Sequence, residues 1–262
     1  MKIRTLFAAL LAAFFLTAAA YSEGTPQSSV SGIPAVINRA ADPKAWSDFS
    51  FPEDAKILHI WFPNVMNADE AILMYDGQVW LIDCGDERMG ARGAELIKKL
   101  GIESIDRVFN SHPHHDHLNG LKVTDRAAKI TELAVCFDPD STKHMKKAIK
   151  YAAENGISME EYRDGNMYVM GNGEVTLKFF INTDPSLDVN NRSAVTMIRY
   201  RKRSILFMGD MEKPGQTAML ARVQAEELDA DLLKYPHHGK SAMNDAFLEA
   251  VRAICQERSE TK

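Results

Sequence analysis

Apolar positions along this chain alternate between two rhythms, short strand-like runs and helical spacings. Lys56 to Phe62, Ala71 to Tyr75 and Val79 to Ile82 read as strands, with Asp76-Gly77 a hairpin turn between the last two. From Arg88 to Leu100 the spacing predicts a helix: Gly93, Leu96, Ile97 and Leu100 share a face, Glu95 and Lys99 form an i,i+4 pair, and Gly101 is placed to stop it. Arg107 to Phe109 and Leu133 to Phe137 predict further strands, and Thr142 to Glu154 a helix closed by Asn155-Gly156. A second strand group follows at Val175 to Ile181, Ala194 to Tyr200, Ser204 to Met208 and Asp231 to Tyr235, with helices predicted over Gly215 to Glu227 and Asn244 to Ile254. Two strand groups with interspersed helices predict a layered α/β fold.

The N-terminus falls outside that rhythm. Lys2 and Arg4 precede the apolar run Leu6 to Leu16, and Ala18-Ala19-Ala20 offers small residues where a signal peptidase cuts. Residues 1–20 are therefore expected to be a secretory signal, with a mature start near Tyr21 and a secreted, periplasmic or extracellular location. The run is short for a membrane span, which takes about 20 residues. Residues 21–54 carry Ser, Gly and Pro without periodic pattern and read as a flexible leader. Residues 55–262 read as one domain, since a chain of 262 residues is long enough for one sizeable core and short for two.

Charge and cysteine content narrow the partners. The net charge is −5, and the signal carries two bases and no acid, so its removal leaves about −7, which argues against broad nucleic-acid affinity. The one dense basic run, Arg199-Tyr200-Arg201-Lys202-Arg203, lies between two strand-like segments and reads as a solvated hairpin turn. Cys84, Cys136 and Cys255 are too few for a disulfide framework, and Cys84 reads as a buried thiol. Gly239-Lys240-Ser241 is not a phosphate-binding loop, because position 234, where that motif needs Gly, is Lys.

The chemistry is concentrated in Asn110-Ser111-His112-Pro113-His114-His115-Asp116-His117-Leu118-Asn119-Gly120, which holds four of the chain's eight His. Imidazole suits zinc and other borderline ions, and a carboxylate among imidazoles completes a shell or holds the water that such an ion acidifies. His112, His114, Asp116 and His117 read as H-x-H-x-D-H, with His115 as spacer. His144, in the helix predicted after it, reads as solvated.

That pattern resembles the signature of the metallo-β-lactamase superfamily, and further blocks line up in order: Ile57-Leu58-His59-Ile60-Trp61-Phe62, Asn67-Ala68-Asp69-Glu70-Ala71-Ile72-Leu73, Trp80-Leu81-Ile82-Asp83-Cys84-Gly85, Asn190-Asn191-Arg192-Ser193-Ala194-Val195, Ile205-Leu206-Phe207-Met208-Gly209-Asp210 and Leu232-Leu233-Lys234-Tyr235-Pro236-His237-His238-Gly239. Within the superfamily the series is similar to the hydrolase domain of ComEC-type DNA-uptake proteins. The resemblance implies an αβ/βα sandwich of four layers with metal at one edge. It assigns His112 and His114 to one ion, Asp116 and His117 to the other, and Asp210 to both. His237 matches the last ligand by coming directly off a strand, which leaves His238 either behind the ligands or facing substrate, since adjacent side chains on extended backbone point opposite ways. Asp83 is expected to position the His loop by hydrogen bonding, and Asn190, Asn191 and Ser193 to stand behind the ligands.

Two departures qualify the resemblance. β-Lactamases place another His about twenty residues before the shared Asp, where this chain has Asn190 and Asn191, so the ion of His112 and His114 lacks an imidazole and the choice of Zn2+ or Mn2+, one ion or two, stays open. The family also adds a strand pair after the last helix, whereas the polar tail Gln256 to Lys262 cannot supply one; the C-terminal sheet is either closed more economically or left incomplete. The resulting expectation is an exported metal-dependent hydrolase of phosphodiesters in nucleic acid or a cell-envelope polymer, with Asp116 and His238 as catalytic groups. The alternatives are hydrolysis of an ester, lactam or lactone, and metal binding without catalysis.

Overall fold

Asp76 and Gly77 both take positive φ, 51° and 79°, as a two-residue type I′ turn demands. β2 (Glu70–Tyr75) therefore folds straight back onto β3 (Gln78–Cys84), with Tyr75 opposite Gln78. The computed structural model describes residues 56–252; the expected signal, leader and polar tail lie outside the described residues. No helix among the described residues is long and apolar enough to cross a membrane.

After β1 (His59–Trp61) and the hairpin come helix α1 (Gly90–Lys99), β4 (Ser104–Asn110), the short helices α2 (His115–Leu118) and α3 (Leu121–Ala127), β5 (Lys129–Val135), α4 (Lys143–Asn155) and β6 (Ser158–Glu161). These strands form one sheet in the order β1-β2-β3-β4-β5-β6, parallel from β3 onward. The second sheet comprises β7 (Met167–Met170), β8 (Val175–Phe180), β9 (Val195–Tyr200), β10 (Arg203–Phe207) and β11 (Leu232–Lys234), in the order β11-β10-β9-β8-β7. Helices α5 (Lys213–Leu220), α6 (Ala225–Leu228) and α7 (Asp245–Val251) accompany it.

Period-two alternation sorts each strand's side chains between two interiors. Val79, Leu81 and Val108 pack with Ile97 and Met145 of the helices, whereas Trp80, Ile82 and Phe109 meet Phe179, Ile198 and Phe207 between the sheets. Met197 and Leu206 face Met219 and Phe247 on the far side. Three cores between four layers follow, the αβ/βα sandwich expected. Phe109 is fully buried with its ring 4.8 Å from Phe179 and 5.7 Å from Tyr162. It fixes the strand end from which the His loop springs, and its loss would cost about 3–5 kcal/mol.

Some elements differ from the sequence reading. β6 and β7 are short edge strands with exposed charged or Met side chains, so they carry no alternation to detect. The single helix expected over 215–227 is two, α5 and α6. The Arg199–Arg203 run does form the β9–β10 turn, with Arg201 and Lys202 exposed. β11 is an edge of the second sheet, with no strand beyond it among the described residues. Gly93 sits inside α1 because a Cβ there would lie 2.0 Å from Glu70 Oε2, which offsets the usual cost of glycine in a helix, about 1 kcal/mol.

Candidate metal centre

The His loop is hung on Asp83. This residue, last but one in β3, has a left-handed conformation, φ 57°, and its buried carboxylate accepts from Asn110 Nδ2 at 3.0 Å, Ser111 N at 2.7 Å, Ser111 Oγ at 2.6 Å and His117 Nδ1 at 2.7 Å. The last bond holds the proton on Nδ1 and turns His117 Nε2 toward the cluster, as a carboxylate behind a ligating imidazole does. α2 begins at His115, which projects into solvent with its side chain 61% exposed, and about half a turn on, His117 faces the interior. His144 is half-buried rather than solvated: its Nδ1 lies 3.0 Å from Asn119 Oδ1.

The second sheet supplies the opposing groups. Gly209, φ 53°, leaves β10 so close to Ser193 that a Cβ would come within 2.8 Å, and Asp210 N donates to Ser193 Oγ at 3.2 Å. Asp210 Oδ1 then stands 3.1 Å from His117 Nε2, and Oδ2 stands 3.7 Å from His112 Nε2 and 3.6 Å from His238 Nε2. Two sets of donors result, each with its atoms within 4.8 Å of one another: His112, His114 and Asp210, and Asp69, His117, Asp210 and His238. Asp210 belongs to both.

The expected order of the two adjacent imidazoles is reversed. His237 and His238 are not extended; both have positive φ, 50° and 53°, so alternation along a strand does not govern them. His238 points inward, 3% exposed, with Nε2 3.2 Å from Asp116 Oδ2 and Nδ1 3.2 Å from Asp69 Oδ1. His237 turns to the rim, where its Nδ1 meets Glu212 Oε1 at 2.8 Å, and its Nε2 is 3.8 Å from Asp210. Asp116 touches His238 without joining the four-residue set.

Asp69, given no role from sequence, is central. Its carboxylate pairs with Lys234 and His238, and its backbone N donates to Asp116 O at 3.0 Å. The signal available was an acid at the start of an apolar strand, which alone is weak. Glu212 was also missed. Of the residues expected behind the ligands, Ser193 touches Asp210, whereas Asn191 braces the following segment by accepting from Glu212 N at 3.1 Å and Gly215 N at 2.8 Å. Asn190 Oδ1 is buried without a hydrogen-bond partner among the described residues.

The donor chemistry fits divalent cations. His117 Nε2 and Asp210 Oδ1 are buried 3.1 Å apart as an ion pair, and neither has a hydrogen-bond partner among the described residues, a cost that a shared cation removes. Burial holds His112 and His114 below the usual imidazole range, with the charge of His117 adding to this, so both are neutral and ready to ligate. For His117, burial is overcome by Asp83 and Asp210, which hold the imidazolium well above the usual range. Burial also opposes the charge of His238, but its bonds to Asp116 and Asp69 raise it to about 9. Asp210 is held down to about 2, the nearby His117 imidazolium outweighing burial. Protons thus occupy the acid-rich side, where cations would replace them.

A four-layer sandwich with an imidazole–carboxylate cluster at the seam defines a metallohydrolase class. Residues 71–253 match the family model of the Metallo-beta-lactamase superfamily, and the chain belongs to that superfamily, whose members are generally metal-dependent hydrolases. It is 24% identical over 161 residues to ComE operon protein 3 of Bacillus subtilis, which covers 60% of this chain and 20% of that protein. A shorter stretch of 55 residues is 42% identical to Ribonuclease Z of Clostridium tetani, covering 21% of this chain and 17% of the relative. The chain thus spans about a fifth of these relatives. Among solved structures, a metallo-beta-lactamase variant from Cronobacter sakazakii altered in its HARLDQ motif shares the fold with TM-score 0.50 at 17% identity, over 76% of this chain and 91% of that one.

Proposed function

We propose that this chain is an exported hydrolase of phosphodiesters that works with two divalent ions, zinc or manganese. The carrying observation is that Asp210 belongs to two donor sets at once, with buried His117 Nε2 and Asp210 Oδ1 lacking other partners. His112 and His114 would hold one ion, His117 and His238 the other, and Asp210 both. Such ions supply Lewis acidity toward the attacked group and lower the pKa of water toward neutrality.

The chain's own residues supply the rest. Asp116, beside His238 Nε2, is held well below the usual carboxylate range, burial being outweighed by the bond to His238; with ions bound, its carboxylate would be placed to orient the attacking water. Asp83 and Asp69 fix the tautomers of His117 and His238. His237 occupies the rim, where an imidazole backed by Glu212 meets the substrate. The phosphodiester assignment draws support from the stretch similar to Ribonuclease Z, and export from the composition of residues 1–20.

The test is metal analysis of purified protein combined with turnover of bis-p-nitrophenyl phosphate, a lactam and a lactone. Two ions per chain with phosphodiester turnover is the expected result. Turnover of the lactam or lactone alone would replace the substrate class, and bound metal without turnover of any reporter would leave a binding protein.

A further inference from the structure

We infer that Arg192 reads an anionic group of the substrate, a phosphate, beside the His112 and His114 end of the cluster. The inference rests on the phosphodiester reading and deepens it by assigning that recognition to one side chain. Arg192 ends a single 3-10 turn, Asn190–Arg192, whose surroundings are pinned to the metal site. Asn191 is tied to the backbone of Glu212 and Gly215, Ser193 to that of Asp210, and Ala194 N donates to Ser111 O at 2.9 Å. The side chain therefore leaves a backbone fixed next to both Asp210 and His112.

Its guanidinium lies over the Phe137 ring, Cζ 5.2 Å from the centroid. Phe137 follows β5, which runs parallel to β4 with Val135 opposite Asn110, so it stands at the sheet end that carries the His loop. The loop beyond it touches that loop directly, Thr142 Oγ1 donating to Pro113 O at 3.0 Å. A guanidinium set against an aromatic face is held in place by the ring, and its terminal N–H donors are the ones that can meet a ligand.

Among the described residues Arg192 has no ion-pair partner. Arg192 Nε is buried without a hydrogen-bond partner, whereas Arg107 is paired with Glu132 and Glu160, Arg222 with Asp164 and Arg252 with Asp229. On the same turn Asn190 Oδ1 is also buried and unpartnered. A desolvated donor without an acceptor is costly, and the planar donor edge of guanidinium matches phosphate oxygens. Lys234, the other basic side chain near the cluster, is committed to Asp69. A phosphate arriving at the cluster meets in Arg192 a positive charge with no carboxylate partner among the described residues.

The test compares metal-loaded full-length protein with Arg192→Gln, which keeps a stem over Phe137 without charge, and Arg192→Lys. Binding of deoxyadenosine monophosphate is expected to weaken roughly tenfold or more in Arg192→Gln and to recover partly in Arg192→Lys. KM for bis-p-nitrophenyl phosphate should rise with kcat within about twofold, while hydrolysis of neutral p-nitrophenyl acetate, metal content and thermal midpoint stay as in the parent. Equal affinity for the monophosphate, or no binding by either protein, overturns the assignment, as does a parallel loss on the neutral ester or a fall in bound metal. Failure of the phosphodiester reading shows separately, as a parent protein that does not turn over bis-p-nitrophenyl phosphate; the monophosphate titration still decides Arg192.

Discussion

The two donor sets that share Asp210 are unequal. Around His117 the set has four side chains, and its imidazoles are braced: His117 from behind by Asp83, and His238 by Asp69, itself one of the four. Around His112 it has three, and its imidazoles lean on each other, His112 Nε2 lying 3.1 Å from His114 Nδ1, with Ser111 Oγ the one brace. The first set is rich in carboxylates and holds protons on its imidazoles; the second holds neutral rings. One seam of the fold thus offers a full, preorganised site beside a lean one. Such a pair should fill in order, the full site first.

The largest break in this comparison comes from the group common to both sides. Asp210→Ala is expected to remove both ions and to lower hydrolysis by at least about a thousandfold, some 4 kcal/mol of barrier. Elemental analysis alongside the rate checks it; one ion retained at full affinity would show that Asp210 serves a single side.

Removing imidazoles should then separate the sides. His117→Ala and His238→Ala are expected to empty the full site, whereas His112→Ala leaves one tightly held ion and His237→Ala leaves both. Metal content of the four variants decides this, and loss of metal in His237→Ala with none in His238→Ala would restore the order expected from the strand. A finer cut replaces the braces: Asp83→Asn and Asp69→Asn should each weaken the full site by about 10- to 100-fold, measured by competition with a chelating dye, with the lean site changed less.

Proton linkage gives the smallest effect. In metal-free protein His238 has its pKa raised to about 9 from 6.5, so its contribution to stability is fully present below 6.5 and is lost as pH rises through about 9. With metal bound the sign reverses, because the imidazole must give up its proton to ligate. Thermal midpoints between about pH 6 and about pH 10, with chelator and with Zn2+, should run in opposite directions. Parallel curves would remove His238 from the metal's reach.

Much of this was legible in the chain because local rules govern it. The Asp76-Gly77 turn, the continuous apolar β3 and the H-x-H-x-D-H spacing each carry their geometry within a few residues. What failed did so where tertiary contacts decide. His237 and His238 take positive φ because the segment is tied back to Gly209 by the bond from His237 N to Gly209 O, 3.0 Å, a constraint invisible in Leu232–Lys234. Asp69 acquires its role from Lys234 and His238, both more than 160 positions away. β6 and β7 escaped notice because edge strands answer to their neighbours more than to a buried face.

The order of strands has one more consequence. Each sheet is contiguous in sequence, residues 59–161 for the first and 167–234 for the second, and the turn around Gly165 joins them. The first sheet's half owns Asp69, His112, His114, Asp116 and His117; the second owns Asp210 and His238. Neither half alone holds a complete ligand set. The chain cut within 162–166 would give two fragments whose reassociation could be followed by restored metal uptake, and ions added to the mixture should draw the fragments together.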